Sequence, residues 1–261
     1  MIRTLRAVEF IRPMTVGSKN PALFLCDGGA EPEEVVVKFR EILLYQQFSS
    51  VGEVVASLFA GDLGFAHAEP VVVELSSELA EVARASSWPD YGNRIERSAG
   101  LNFGSVFFGA GRDARLPSEA DGPELRRFWA ALFCFDFVIQ NLDRVADNPN
   151  YLRLGDRVGL IDHEQAFRHL DENRQGDFSA DALEVDPFYR HVAFLSLDSA
   201  TDFSPLFQRL SALPEQNIKS YFAHLPAAWR DYRSIRLEHY LHWVRNHATE
   251  LYERLATIFA T

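Results

Sequence analysis

Asn141-Leu-Asp-Arg-Val-Ala-Asp-Asn-Pro-Asn150, running on into Tyr151-Leu-Arg-Leu-Gly-Asp-Arg-Val-Gly-Leu-Ile-Asp162, decides the fold of this chain. Tyr151 to Leu154 has strand character, Gly155-Asp156 is a two-residue turn of the kind that closes tight hairpins, and Arg157 to Ile161 is the returning strand. A two-residue turn sets Leu154 opposite Arg157. Pairing continued outward sets Asp162 opposite Pro149, with Asn148 one step beyond, so the open end of the hairpin gathers an asparagine and an aspartate. Upstream, Leu125 to Gln140 is apolar nearly all round, which predicts a helix in the middle of a core. Pro123 is well placed to start it. This helix delivers Asp143 to the same end of the hairpin.

Such a set suits phosphoryl transfer. An asparagine and an aspartate hold Mg2+ through oxygen atoms, and a separate aspartate accepts or orients the proton of an attacking hydroxyl. Asp and Asn are also common in loops because their side chains bond nearby backbone, so one Asp-x-x-x-x-Asn match says little. A buried helix before it, a tight hairpin after it and a second aspartate at the strand end make the combination far more specific.

Further out, the first half reads as strands. Ala22 to Cys26 and Val35 to Phe39 are runs of strand-favouring residues separated by a turn at Asp27-Gly28-Gly29, which predicts a hairpin. Thr15 to Pro21, polar and glycine-containing, is a loop leading into it. Helical character is expected from Glu41 to Phe48 and again from Ser50 to about Ala60, where Gly61 is the stop. Pro70 to Leu75 and Leu101 to Phe108 are further strands. Between them, Trp88-Pro89-Asp90 and Gly92 are expected to break any long element. Residues 109 to 122 form a connector. Beyond residue 200 the pattern is helical, with Leu237, Tyr240, Leu241, Val244 and Leu251 at helical spacing in one stretch from Ser234 to Phe259. A strand-rich half before a helix-rich half predicts an α+β protein of two lobes, residues 1–109 and 110–261, with a cleft between them.

Composition narrows the function classes. The formal net charge of −11 repels a phosphate backbone, so no direct nucleic-acid binding is expected. The most apolar run, Phe128 to Ile139, is too short to span a bilayer and contains Asp136, so no membrane partner is expected. Met1 to Pro13 lacks the apolar stretch of a signal peptide. The two cysteines, Cys26 and Cys134, sit in separate apolar runs and read as buried thiols. By elimination the expected location is cytoplasmic.

The central segment resembles the catalytic loop and metal-binding segment of the HipA-like kinases, a bacterial branch of the protein-kinase-like superfamily. Asn141-Leu142-Asp143-Arg144, Asn148-Pro149-Asn150 and Ile161-Asp162-His163 carry the resemblance, and Asp186-Pro-Phe-Tyr-Arg-His-Val-Ala-Phe194 is similar to the helix start that follows in the family. The similarity extends over essentially the whole chain. It implies a protein-kinase-like two-lobed fold, with a strand-rich N-lobe and a helical C-lobe. It also implies an ATP- and Mg2+-dependent Ser/Thr protein kinase. Asp143 matches the catalytic base, Asn148 and Asp162 the metal ligands, and Arg144 steadies the loop or the transferring phosphate. Lys38 matches the strand lysine that holds ATP phosphates. Period-2 alternation puts Val36 on the same face, against the adenine. Glu53 matches the helix glutamate that pairs with this lysine, although Ser50-x-x-Glu53 is equally a capping box. Gly17, Ser18 and Lys19 occupy the place of the phosphate-covering loop, offering N–H groups and a cation.

The departures are informative. Val145 stands where the family often has histidine, and His163-Glu164 follows Asp162 in place of the Phe-Gly of ordinary protein kinases. Longer members carry an extra N-terminal domain that contacts an antitoxin. This chain starts at the kinase lobe, so an antitoxin partner is doubtful. The phosphoacceptor is unidentified, a protein or a small molecule. Small-molecule kinases of the aminoglycoside or choline type share the Asp-x-x-x-x-Asn and Ile-Asp pattern, but usually have His-Gly before the catalytic aspartate, where this chain has Asn141-Leu142. A non-catalytic pseudokinase is disfavoured because Lys38, Asp143, Asn148 and Asp162 are all filled. His163-Glu164 lacks a following histidine at zinc-protease spacing, and Gly104-Ser105 lacks the flanking glycines of a nucleophile elbow.

Overall fold

The computed structural model describes residues 2–14, 19–29, 31–43, 47–85, 87–108, 116–118, 121–154, 157–172 and 177–259. In chain order its first elements are β1 (Arg3–Pro13), β2 (Ala22–Asp27), β3 (Glu33–Lys38), α1 (Arg40–Leu43), α2 (Gln47–Asp62), β4 (Ala66–His67), β5 (Pro70–Leu75), α3 (Ser77–Arg84), α4 (Pro89–Arg97) and β6 (Gly100–Val106). There follow α5 (Pro123–Ile139), β7 (Tyr151–Leu154), β8 (Arg157–Leu160), α6 (His169–Glu172), α7 (Ser204–Ala212), α8 (Glu215–Ala223), α9 (Tyr232–Asn246) and α10 (Ala248–Ala256). They form two compact units, Met1–Leu58 with Ala68–Ala110, and Phe59–His67 with Gly111–Thr261.

In the first unit the expected hairpin is present as β2 against β3, with Cys26 opposite Glu33. The strands β1, β2, β3, β6 and β5 close in that order into a barrel, and β1 completes the ring by pairing with β5 in parallel. Closure leaves no edge for another chain to pair with. Alternation decides which face is inside: Val35 and Val37 of β3 and Val71 and Val73 of β5 have no solvent exposure and line the core with Leu5, Phe10 and Phe24. Gly104 of β6 is the residue these valines need. A Cβ there would meet Val73 at 2.7 Å and Val35 at 2.8 Å. β1 is not expected from the sequence. Register shifts between Ala7 and Glu9 and between Phe10 and Arg12 interrupt its alternation, so the inward-facing Leu5, Ala7 and Phe10 do not show a clean period of two.

Two glycines read as breakers are packing residues instead. Gly92 lies inside α4, where a Cβ would meet the Ala80 carbonyl oxygen at 2.8 Å, so it lets α3 and α4 approach closely. Gly61 lies inside α2, and a Cβ there would meet His67 Nε2 at 2.6 Å. The helix ends at Gly64, whose φ of +91° is left-handed. There Phe65 N–H bonds Ala60 O at 2.9 Å and Gly64 N–H bonds Gly61 O at 3.0 Å, the two bonds of a Schellman cap.

The second unit is built on α5, which is buried at Trp129 and Ala130 and continuously from Leu132 to Ile139. Gln140, with φ of 51°, terminates it. β7 and β8 pair with Leu154 opposite Arg157, as the two-residue turn requires; the turn residues Gly155 and Asp156 lie outside the described residues. β4 adds to β8 in parallel. This pairing draws residues 59–67 into the second unit, which a single division at residue 109 does not anticipate. The Asp186–Phe194 stretch, likened to a helix start, forms two short 3-10 turns, Asp186–Arg190 and Phe194–Ser196. The helical spacing expected from Ser234 to Phe259 is carried by two helices, α9 and α10, which meet at His247; α9 starts with a capping box between Asp231 and Ser234. Tyr240 of α9 donates to the Val138 carbonyl of α5 at 2.6 Å, tying the helices together. Both cysteines are free and buried. Among the described residues no helix is long and apolar enough to cross a membrane.

Candidate active site

The ten residues after α5 fold back tightly. Val145 N–H bonds Asn148 O at 3.2 Å and Asn148 N–H bonds Val145 O at 3.0 Å, so Asn148 returns beside Asp143. Its amide nitrogen donates to Asp143 Oδ2 at 2.8 Å, and Asn150 Nδ2 donates to the same oxygen at 3.3 Å. Ile161 N–H bonds Asn150 O at 3.1 Å, extending the hairpin by one step toward its open end. Asn150 and Asp162 both take left-handed φ, 48° and 54°. Asn and Asp tolerate this region better than other non-glycine residues. The Asp143 carboxyl is raised above its usual range, chiefly by burial, with the negative charges of Asp162 and Glu164 adding to the effect and Asn150 and Arg144 opposing it. Asp143 thus stands in hydrogen-bond contact with Asn148 and within electrostatic reach of Asp162.

Beneath them lies a buried polar network. The Asp136 carboxylate has no solvent exposure. Arg144 Nε donates to its Oδ2 at 2.5 Å, His191 Nε2 to Oδ2 at 2.9 Å and Asn141 Nδ2 to Oδ1 at 3.0 Å. Burial alone would raise this carboxyl, but Arg144 and His191 outweigh it and hold it at about 2. Arg144 is itself fully buried. Its remaining N–H groups donate to the carbonyls of Pro149 and Asn150 and contact His163 Nδ1 at 3.4 Å. Of the two roles expected for Arg144, its geometry fits steadying the loop, because its guanidinium is buried and bonded to Asp136 and to the Pro149 and Asn150 carbonyls. His191 pairs with Asp136 as a neutral donor. Its Nδ1 accepts the Ala193 N–H at 3.1 Å, which leaves the proton on Nε2, and burial lowers its pKa despite the adjacent carboxylate.

The fit of Mg2+ is judged from the donors. Asn148 spends its amide N–H on Asp143, and its amide oxygen is a hard ligand atom. Asp162 and Glu164 offer carboxylate oxygens within 4.8 Å of each other, and Glu164 is buried. Hard oxygens, two of them anionic and close together, suit a small divalent cation that completes its shell with water and phosphate.

In the first unit, Lys38 ends β3 and forms an ion pair with Glu53 of α2. Both side chains are largely buried, at 12% and 3% exposure. α2 begins at Gln47, so Ser50 lies within the helix and the capping-box alternative for Glu53 is not realised. Val36 is half-buried and shares the outer face of β3 with Lys38, while Val35 and Val37 face the barrel core. The Lys19 and Asn20 carbonyls accept from Arg94 at 3.2 and 3.1 Å. Gly17 and Ser18 lie outside the described residues.

Sequence reasoning missed Asp136, His191, Asn150 and Glu164. Asp136 carried a readable signal, since a carboxylate within a buried apolar helix demands partners. His191 carried none, being 55 residues from the carboxylate it meets.

A family model described as HipA-like kinase matches residues 7–239. Among solved structures, the Helicobacter pylori proinflammatory kinase CtkA aligns over 100% of both chains with a TM-score of 0.57 and 12% sequence identity, a likeness of fold. A search of the curated proteins found no match.

Proposed function

The chain belongs to the HipA-like kinases, and from that membership we propose that it transfers the γ-phosphoryl group of ATP to the hydroxyl of a serine or threonine side chain. Asp143 orients the hydroxyl and accepts its proton; a carboxyl raised above the usual range is the better base for this task. Asn148 and Asp162 hold Mg2+, with Glu164 beside them, and the ion when bound neutralises charge on the phosphate oxygens. Lys38, held by Glu53, binds the ATP phosphates, and Val36 lies against the adenine. Gly17, Ser18 and Lys19 complete the phosphate contacts. Residues 1–109 serve as the N-lobe and 110–261 as the C-lobe, apart from residues 59–67, which group with the second unit. Arg144 keeps the loop in place.

The observation that carries this reading is the convergence on Asp143. Two amides fix one carboxylate oxygen at 2.8 and 3.3 Å, and the charge of Asp162 is near enough to raise its pKa. A loop asparagine satisfying only its own backbone would not organise another residue's carboxylate.

Calorimetric titration of ATP with and without Mg2+ tests the proposal. Saturable binding that requires Mg2+, with turnover abolished in Asp162→Asn, is the expected result. Wild-type turnover in that variant would remove the metal-site assignment. Absence of binding in both conditions would leave a fold without the enzyme.

A further inference from the structure

Residues 184–192 follow the hairpin and α6 and lie along the loop that carries Asp143. They are attached at both ends. Glu184 N–H bonds Gln140 Oε1 at 2.9 Å at the close of α5. Val192 N–H bonds the Arg144 carbonyl at 2.9 Å, and Val145 forms a β-bridge with His191. His191 is the one side chain of the segment that reaches Asp136. Its ring is oriented by Phe133, edge-on at 5.1 Å, and Phe188, stacked at 6.2 Å.

We propose that His191 is a positioning residue for Asp143, locking residues 184–192 to the catalytic loop through the Asp136 carboxylate. The inference rests on the kinase reading of Asp143 and deepens it. Asp136 receives donors from three places: Asn141 where the loop begins, Arg144 within it, and His191 from the later segment. Arg144 then passes the constraint to the far end of the loop through the Pro149 and Asn150 carbonyls. Without the His191 donor, Asp136 keeps its other two partners. The fold persists, but the carboxylate and Arg144 can rotate together, and the loop moves with them. An imidazole serving packing alone would need only its ring between the phenylalanines. Both of its nitrogens are instead committed, Nε2 to Asp136 and Nδ1 to the Ala193 N–H.

His191→Phe keeps a ring of similar size and removes both polar atoms, whereas His191→Gln restores a donor at the reach of Nε2. Three quantities are measured on each: Mg-ATP turnover, calorimetric ATP affinity, and amide hydrogen exchange of residues 141–150. In H191F turnover falls about 10- to 100-fold, the cost of a displacement of about 1 Å at a reacting group. ATP affinity is unchanged, exchange quickens in 141–150, and H191Q recovers most of the loss. Wild-type turnover in H191F would overturn the proposal. So would a parallel loss of turnover, affinity and protection across α5 and α7–α10, the signature of a merely structural residue. If H191F does not fold, H191Q and H191N carry the comparison, since asparagine is one methylene too short to reach Asp136. A wild-type protein that neither binds nor turns over ATP would sink the kinase reading itself. The exchange measurement then decides alone, and equal exchange of residues 141–150 in H191F and wild type would overturn the positioning role.

Discussion

Arg144 holds a full positive charge where no solvent reaches it. A buried charge is tolerated only when paired and hydrogen-bonded, and Asp136 and the two loop carbonyls supply both conditions. Removing one partner of such a pair strands the other. Arg144→Met is therefore expected to destabilise the second unit by about 3–5 kcal/mol, read by urea unfolding. The double variant Arg144→Met with Asp136→Leu should be more stable than the single one, because no charge is left unpaired. A single-variant loss below about 1 kcal/mol would mean that Asp136 finds solvent. At this scale the sequence was informative where chemistry is local. Asp143 and Asn148, five residues apart, meet through a turn that their own neighbours form. Lys38 and Glu53 were legible only as a pair of candidates. Which role Glu53 plays depended on where α2 begins: with Ser50 inside the helix, Glu53 pairs with Lys38.

Helix ends and glycines set the limits at the scale of elements. Gly61, Gly64 and Gly92 look alike in sequence, yet only Gly64 adopts positive φ among the three. Gly64→Ala places a Cβ in the left-handed region and is expected to cost about 1–2 kcal/mol, measured by thermal or urea unfolding. Gly104→Ala instead forces a methyl against Val35 and Val73 inside the barrel, at a cost of about 1–3 kcal/mol. If Gly104→Ala were neutral, the barrel would not be packed as described. The β7–β8 register was readable because a two-residue turn leaves one pairing, and Leu154 opposite Arg157 is that pairing. β1 was not readable, since its register shifts destroy the alternation that marks a strand. Neither was the break at His247, because the apolar spacing continues through it.

For the whole molecule, buried histidines couple stability to pH. Burial pushes His163 down to about 3 and His169 down to about 4, and lowers His191 as well. In the unfolded chain each takes a proton near 6.5, while in the folded protein it stays neutral. Their stabilising contribution is thus complete above pH 6.5 and is lost as pH falls toward 4 and then 3. Each contributes a slope of about 1.4 kcal/mol per pH unit in that window. Asp136 acts only in stronger acid: its contribution is present above the usual carboxylate range and is lost as pH falls toward about 2. Stability of the second unit, followed through its Trp129, Trp229 and Trp243, should therefore fall steadily from pH 6.5 to 4, and His169→Phe should reduce the slope by about one proton. A flat profile over that range would contradict the burial of these rings. By itself, the sequence determined the β2–β3 and β7–β8 hairpins, the buried α5 and the spacing of the Asp143–Asn148 loop. Each follows from periodicity, turn chemistry and neighbours a few residues apart. Closure of the barrel by β1 against β5, the addition of β4 to β8, and the meeting of His191 with Asp136 were decided only by the tertiary structure. Those contacts join segments distant in the chain, and which of many compatible partners they choose depends on how the core volumes fill.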